Sequence, residues 1–244
     1  MRPELFYLEV LGRTWAPSSY AVLYVVAFLA AGALVLAPRE RRRELLPHLH
    51  EIALVLVIGG WLVARLAKPV VYAGTGAPTS GTFFFGWAAG STGLLWVWAR
   101  LRGLRPARLF DAIAPGVLLG SAIGRVGCLL GGCCRGIACD PPWGVELAGH
   151  PGTWFPAQLA NAAGDLLALA LLLAVVKPRL RREGELTIRA LWLYVAFRFP
   201  IEWLRSEPVV LLGMTQGQVI GFALGGLGLL IWKARSAQAA RAIP

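Results

Sequence analysis

Read for apolar and polar positions, the chain alternates long apolar runs with short clusters of charge. Seven runs reach or approach the roughly 20 residues that a helix needs to cross a bilayer. They lie at 18 to 37, 52 to 68, 82 to 99, 109 to 130, 156 to 176, 188 to 204 and 215 to 232. The pattern predicts an all-α polytopic membrane protein of about seven transmembrane helices, with residues 1 to 244 forming a single integral membrane domain.

The basic residues fall mainly in alternate connections. Segments 38 to 51, 100 to 108, 177 to 189 and 233 to 244 hold four, four, five and three Lys or Arg. By the positive-inside bias these are cytoplasmic, which puts the N-terminus outside and the C-terminus inside. The first twenty residues contain Glu4, Glu9 and Pro17 and lack a basic stretch followed by an apolar core, so no cleavable signal peptide is expected.

Composition agrees with this picture. Of the 244 residues, 57 % are hydrophobic and 15 % charged, and mean hydropathy is +0.62. In a soluble domain a net charge of +11 would point to nucleic acid. Here it follows from the orientation of spans, and no nucleic-acid partner is expected. His48 and His50 lie in a charged connection and are weak evidence for metal, while GFALG at 221 to 225 fits close helix packing.

Some charges stand where water is scarce. Arg125 and Arg65 lie near the outer ends of their spans, and RFPIEWLR at 198 to 205 adds Arg198, Glu202 and Arg205. Such residues are costly in a bilayer unless paired or hydrated. The spacing i, i+4, i+7 projects the last three from one helical face, where Glu202 can hold one guanidinium bidentately and leave another for an anion. Snorkelling to the interface accounts for a single arginine such as Arg65 or Arg205. Arg125 together with the Arg198 and Glu202 pair reads as a site for an anionic ligand reached from the membrane, a phospholipid.

All four cysteines lie within IGRVGCLLGGCCRGIACDPPWGVEL, residues 123 to 147. Cys133, Cys134 and Cys139 are placed outside and Cys128 near the outer end of its span, where disulfides are permitted. Cross-pairing that staples the loop is the first expectation, and a reactive thiol beside Arg125 or Arg135 the second. Metal binding is the least favoured of the three readings, since the C-x4-C-C-x4-C spacing is not a common zinc pattern, and no metal ligands are assigned. Trp143, Trp154 and Phe155 read as an interfacial aromatic belt.

Several motifs then resemble one family. GRVG at 124 to 127, Gly132, Gly136 and PWGV at 142 to 145 are similar to the signature loop of prolipoprotein diacylglyceryl transferases. D-x-I-A-P at 111 to 115, P-x-Q-L at 156 to 159, R-F-x-I-E-x-x-R at 198 to 205 and G-Q at 217 to 218 follow in the family's order. The stretch around Tyr20 resembles its first span.

The resemblance implies transfer of a diacylglyceryl group from phosphatidylglycerol to the lipobox cysteine of a prolipoprotein signal peptide, in the bacterial inner membrane and without a cofactor. It implies catalytic roles for Arg125, Arg198, Glu202 and Tyr20. Substrate contacts would fall to Arg125, Arg205, Gly127, Gly136, Gln158 and Gln218, with membrane lipids as surroundings. Glu202 would orient Arg198, and Arg205 would line an exit toward the outer face.

Departures are also visible. Phe85 stands where the family carries a histidine, Cys128 and Cys133 replace an asparagine and a glutamate, and Ala160 and Asn161 replace Tyr-Glu. Two other readings therefore stay open: a non-transferase paralogue that binds phospholipid, and a membrane thiol oxidoreductase using the cysteines.

Overall fold

The computed structural model describes residues 4, 8–10, 13–71, 84–180, 182–207 and 209–241. Its helices are α1 (Ser19–Leu36), α2 (Arg39–Leu45), α3 (Leu49–Leu54), α4 (Gly60–Val71), α5 (Phe84–Leu101), α6 (Pro106–Leu130), α7 (Ala157–Leu171), α8 (Glu185–Ile201) and α9 (Gln216–Arg241). A 3-10 turn at Leu46–His48 and a π turn at Val55–Gly59 join α2, α3 and α4 into one continuous helical path. The described helices thus form seven segments, one for each expected span.

Among the described residues, five stretches are long and apolar enough to cross a membrane: Ser19–Leu36, Arg39–Leu66, Pro106–Leu130, Ala157–Arg179 and Gln216–Ala234. The second begins earlier than expected, because the basic connection before residue 52 is itself helical. Helix α8 has 17 residues and includes Glu185, Arg189 and Arg198. Three small antiparallel hairpins complete the secondary structure of the described residues. They pair β1 (Leu8–Val10) with β2 (Arg13–Trp15), β3 (Val145–Leu147) with β4 (His150–Trp154), and β5 (Val209–Leu211) with β6 (Met214–Thr215).

The chain divides into two compact units, 35–112 and the combined segments 1–34 and 113–244. In the smaller unit α4 lies against α5. An added Cβ at Gly60 would stand 2.0 Å from Ser91 Oγ, and one at Gly90 would stand 2.5 Å from Val63 Cβ, so small residues set the approach of these helices. Ser91 Oγ also donates to the Leu56 carbonyl at 3.2 Å, a group within the π turn.

The larger unit has its core on α6, α7 and α8. Ala114 and Leu118 meet Ala168, Leu169, Leu172, Leu186 and Ala190, with Tyr194 and Phe197 packed alongside. Helix α9 joins through Gly221, which faces Val195, and through the Gly225 carbonyl, which accepts from Trp192 Nε1 at 3.2 Å. Of the GFALG glycines, Gly221 serves helix packing, while a Cβ at Gly225 would meet open space. Arg189, assigned from sequence to a cytoplasmic connection, lies within α8 and stacks on Trp192 and Trp232 at 5.2 and 5.8 Å.

Candidate active site

The polar residues of the larger unit gather around the end of α8. Pro200 removes a helical N–H near that end, and α8 gives way to a 3-10 turn at Glu202–Leu204. Arg205 follows in extended backbone, with φ −104° and ψ 147°. The expected single helical face therefore stops at Ile201, and the turn brings Arg205 back toward Glu202 instead.

Glu202 is buried, with its side chain 3 % exposed, and is shared by two arginines. Arg198 Nη2 lies 3.2 Å from Oε2, and Arg205 Nε lies 3.6 Å from Oε1. Neither contact is bidentate, which corrects the expected clamp, and Oε2 has no aligned hydrogen bond among the described residues. Gly217 at the start of α9 closes over this carboxylate: a Cβ there would stand 2.5 Å from Oε1. The positive end of α9 thus faces a buried negative charge.

The arginines differ in what remains unsatisfied. Arg198 also donates from Nη1 to Asn161 Oδ1 at 3.2 Å. Asn161 is fixed in turn by its own donation to the Ala157 carbonyl at 2.7 Å. Arg205 Nη2 donates to Glu207 Oε1 at 2.7 Å, but its buried Nη1 has no partner among the described residues. Arg125, on α6, lies in the electrostatic neighbourhood of Tyr194, Cys134, Arg205 and Cys128. Among the described residues no carboxylate comes within ion-pair distance of it. Among the described residues, Arg125 has no ion pair and Arg205 Nη1 no hydrogen bond, while Arg198 is held by Glu202 and Asn161.

The remaining sequence candidates have clear places. Tyr20 is on α1, its ring 5.1 Å from that of Tyr24, and it feels the nearby Cys128 and Cys133. Gly127 lets α6 approach α1, since a Cβ would meet Leu23 Cβ at 3.2 Å and Tyr20 Cα at 3.6 Å. Gly136 is held between Phe155 and Leu204, whose carbonyls would lie 2.5 and 2.6 Å from an added Cβ. Its backbone bridge to Arg205 ties the cysteine loop to the arginine turn.

Gln158 donates to the Cys133 carbonyl at 2.7 Å and leaves Oε1 buried without a partner among the described residues. Gln218 is occupied internally. It accepts from the Thr215 N–H at 3.0 Å, its own N–H donates to Thr215 Oγ1 at 3.3 Å, and Nε2 reaches the Phe199 carbonyl at 3.3 Å. This is a capping box at the start of α9. Phe85 lies in the first turn of α5, and its side chain is outside the described residues.

One buried acid was missed from sequence. Asp165 on α7 accepts from Ser121 Oγ on α6 at 2.6 Å and senses both Arg125 and Arg198. An ionisable residue four positions after Asn161, inside an apolar span, was the available signal.

The cysteine loop departs from expectation, since all four cysteines are free thiols. The loop is held by its backbone: Cys133 N–H donates to the Cys128 carbonyl at 3.0 Å, and Gly136 N–H to the Phe155 carbonyl at 3.1 Å. The sulfurs of Cys128, Cys133 and Cys134 lie within 4.8 Å of one another. Hydrogen bonds from Cys128 and Cys133 pull the Cys134 thiol below its ordinary range, and the charges of Arg125 and Arg205 act in the same direction against burial. Arg135 turns away to stack over Trp154 at 4.0 Å and to contact His150 Nδ1.

Fold and site together define a polytopic helical membrane protein with a buried, arginine-rich polar site among its spans. The chain belongs to the prolipoprotein diacylglyceryl transferase family, whose sequence profile matches residues 11–233. It is accordingly a multi-pass protein of the bacterial inner membrane.

Curated relatives named phosphatidylglycerol-prolipoprotein diacylglyceryl transferase include one from Dehalococcoides mccartyi. It is 35 % identical over 184 residues, which cover 70 % of this chain and 66 % of the relative. Others come from Methylibium petroleiphilum, 32 % identical over 248 residues (89 % of this chain, 92 % of the relative), and Pseudoalteromonas atlantica, 27 % identical over 252 residues (96 % and 89 %).

Proposed function

We propose that this chain transfers the diacylglyceryl group of phosphatidylglycerol to the lipobox cysteine of a prolipoprotein. The observation that carries this reading is Arg125, a cation on a membrane-embedded helix with no carboxylate at ion-pair distance among the described residues, in a chain matched by the family over 11–233.

The chemistry asks for a phosphate clamp. The incoming sulfur forms a bond to the glycerol carbon, the bond from that carbon to the phosphate oxygen breaks, and glycerol phosphate leaves with the electron pair. Arg125 and the Nη1 edge of Arg205 receive the phosphate oxygens, where a fixed positive charge acts on the charge that grows as the bond breaks. Glu202 is a positioning residue. It holds Arg198 and Arg205, while Asn161 fixes the other edge of Arg198.

A free thiol has a pKa of about 8.5, so the same positive field favours the attacking thiolate. Its proton passes to water or to the departing phosphate, a monoester able to hold it. Such a route needs no imidazole at position 85. Tyr20 borders the site from α1, and Gly127, Gly136, Gln158 and Gln218 keep the surrounding backbone in place. The distribution of Lys and Arg supports an N-terminus outside and a C-terminus in the cytoplasm.

Phe85, in place of a histidine, favours one competing reading, a phospholipid-binding paralogue that has lost transfer. Expression of this chain in cells depleted of their own diacylglyceryl transferase separates the two. Modification of a model prolipoprotein, read as a mass shift, is the expected result. Correct membrane insertion with no shift on the model substrate or on lipoproteins of the source organism overturns the proposal.

A further inference from the structure

We propose that Cys128, Cys133 and Cys134 form a binding site for a thiophilic d10 cation, zinc(II) or copper(I), held as an anionic trithiolate at the end of α6. Three sulfurs within 4.8 Å of one another offer one ligand atom each. Tetrahedral zinc with bonds of about 2.3 Å places its sulfurs roughly 3.8 Å apart, so closure asks each side chain to move by less than ~1 Å.

The triangle is built by the backbone. Cys128 sits in the last turn of α6, and the chain then reverses through Gly132, φ 72°, and Cys134, φ 60°. Gly132 is required there, because an added Cβ would stand 2.2 Å from the Ala148 carbonyl oxygen. The reversal returns Cys133 N–H to the Cys128 carbonyl, while Gln158 pins the Cys133 carbonyl from α7. Ligand positions set in this way lose little entropy on binding.

Ligand type and charge select the cation. The group contains only sulfur, which favours soft ions over magnesium, calcium or manganese. Cys139 is outside it, its Sγ turned to the Asp140 carbonyl at 3.5 Å. Arg125 and Arg205 act on Cys134, and their field would repel a bare cation. It stabilises the loaded site, because three thiolates around a divalent or monovalent ion leave net negative charge. The three thiol protons go to solvent as the metal binds.

The test uses the full chain, purified in detergent under reducing, metal-free conditions. Cobalt(II) serves as the spectroscopic probe for zinc, and copper(I) is titrated separately. One cation per chain is expected, either cobalt with a thiolate charge-transfer band that zinc displaces or copper(I) without it. C139S should bind like the parent, while C128S, C133S and C134S should each bind more than about tenfold more weakly.

A second measurement needs no variant. Bound metal should protect Cys128, Cys133 and Cys134 from alkylation while Cys139 still reacts. Failure of both ions to bind, equal binding by C134S, or a disulfide within the triad in protein isolated without reductant would overturn the proposal. None of these results depends on diacylglyceryl transfer.

Discussion

Each compact unit contains a glutamate held by arginine, and the two are finished differently. In the smaller unit Glu51 receives Arg102 Nε at 2.8 Å, Arg102 Nη2 at 2.6 Å and Trp98 Nε1 at 2.7 Å, three well-formed hydrogen bonds. Its guanidinium partner is 48 % exposed, so water completes whatever the protein does not. In the larger unit Glu202 and Arg205 are 3 % and 5 % exposed, yet Glu202 Oε2 and Arg205 Nη1 are left without hydrogen-bond partners among the described residues. Buried polar groups in a finished structure are satisfied. The contrast teaches that a carboxylate–arginine pair inside a membrane protein is informative through what it leaves open.

Substituting each glutamate gives the largest expected effect. Glu202→Gln leaves Arg198 and Arg205 sharing a neutral amide, and breaking such a buried pair costs about 3–5 kcal/mol. Loss of transfer and a lower unfolding temperature should appear together. Glu51→Gln should lower the unfolding temperature far less, because its site is partly hydrated. Thermal unfolding of the two variants in the same detergent makes the comparison, and equal losses would remove the distinction between the units.

Arg125 sharpens the contrast from the other side. No carboxylate depends on it at ion-pair distance among the described residues, so Arg125→Ala should lower transfer by about a hundredfold or more while leaving stability nearly intact. Arg125→Lys should recover part of the rate, since a point charge replaces a planar fork. A mass-shift assay with synthetic lipobox peptide provides the readout, and wild-type activity in Arg125→Ala would falsify the phosphate clamp.

This division was only partly legible in the sequence. Span positions were legible because apolar length is a one-dimensional property: 109 to 130 became Pro106–Leu130, and 18 to 37 became Ser19–Leu36. The arginines stood out because charge in an apolar run is conspicuous. Their division of labour did not, since it depends on the turn after Pro200 and on Glu207, which a helical wheel carried through residue 205 cannot represent. Strands of two to five residues carry no period long enough to read. The cysteine spacing pointed away from metal, and only the reversal at Gly132 brings residues 128, 133 and 134 together.

A smaller effect is expected where the polar contacts are complete but local. Thr215→Ala removes one half of the capping box that starts α9, at a cost of about 1 kcal/mol. Because Gly217 of the same turn rests on Glu202, some loss of transfer should accompany it. Thr215→Ser keeps the hydroxyl that accepts from the Gln218 N–H and should recover most of the stability, measured by thermal unfolding.

The smallest expected effect comes from Arg102 of the completed site. Arg102→Ala removes two hydrogen bonds to Glu51, but Trp98 Nε1 still donates to that carboxylate and His48 lies 3.8 Å from its other oxygen. Solvent reaches the vacated edge, so the loss should stay within about 0.2–1 kcal/mol and shrink further in high salt. Transfer activity should be unchanged, because neither partner belongs to the phosphate clamp. An activity loss comparable to that of Arg125→Ala would mean that Glu51 and Arg102 contribute to the reaction, and that complete hydrogen bonding does not by itself mark a structural pair.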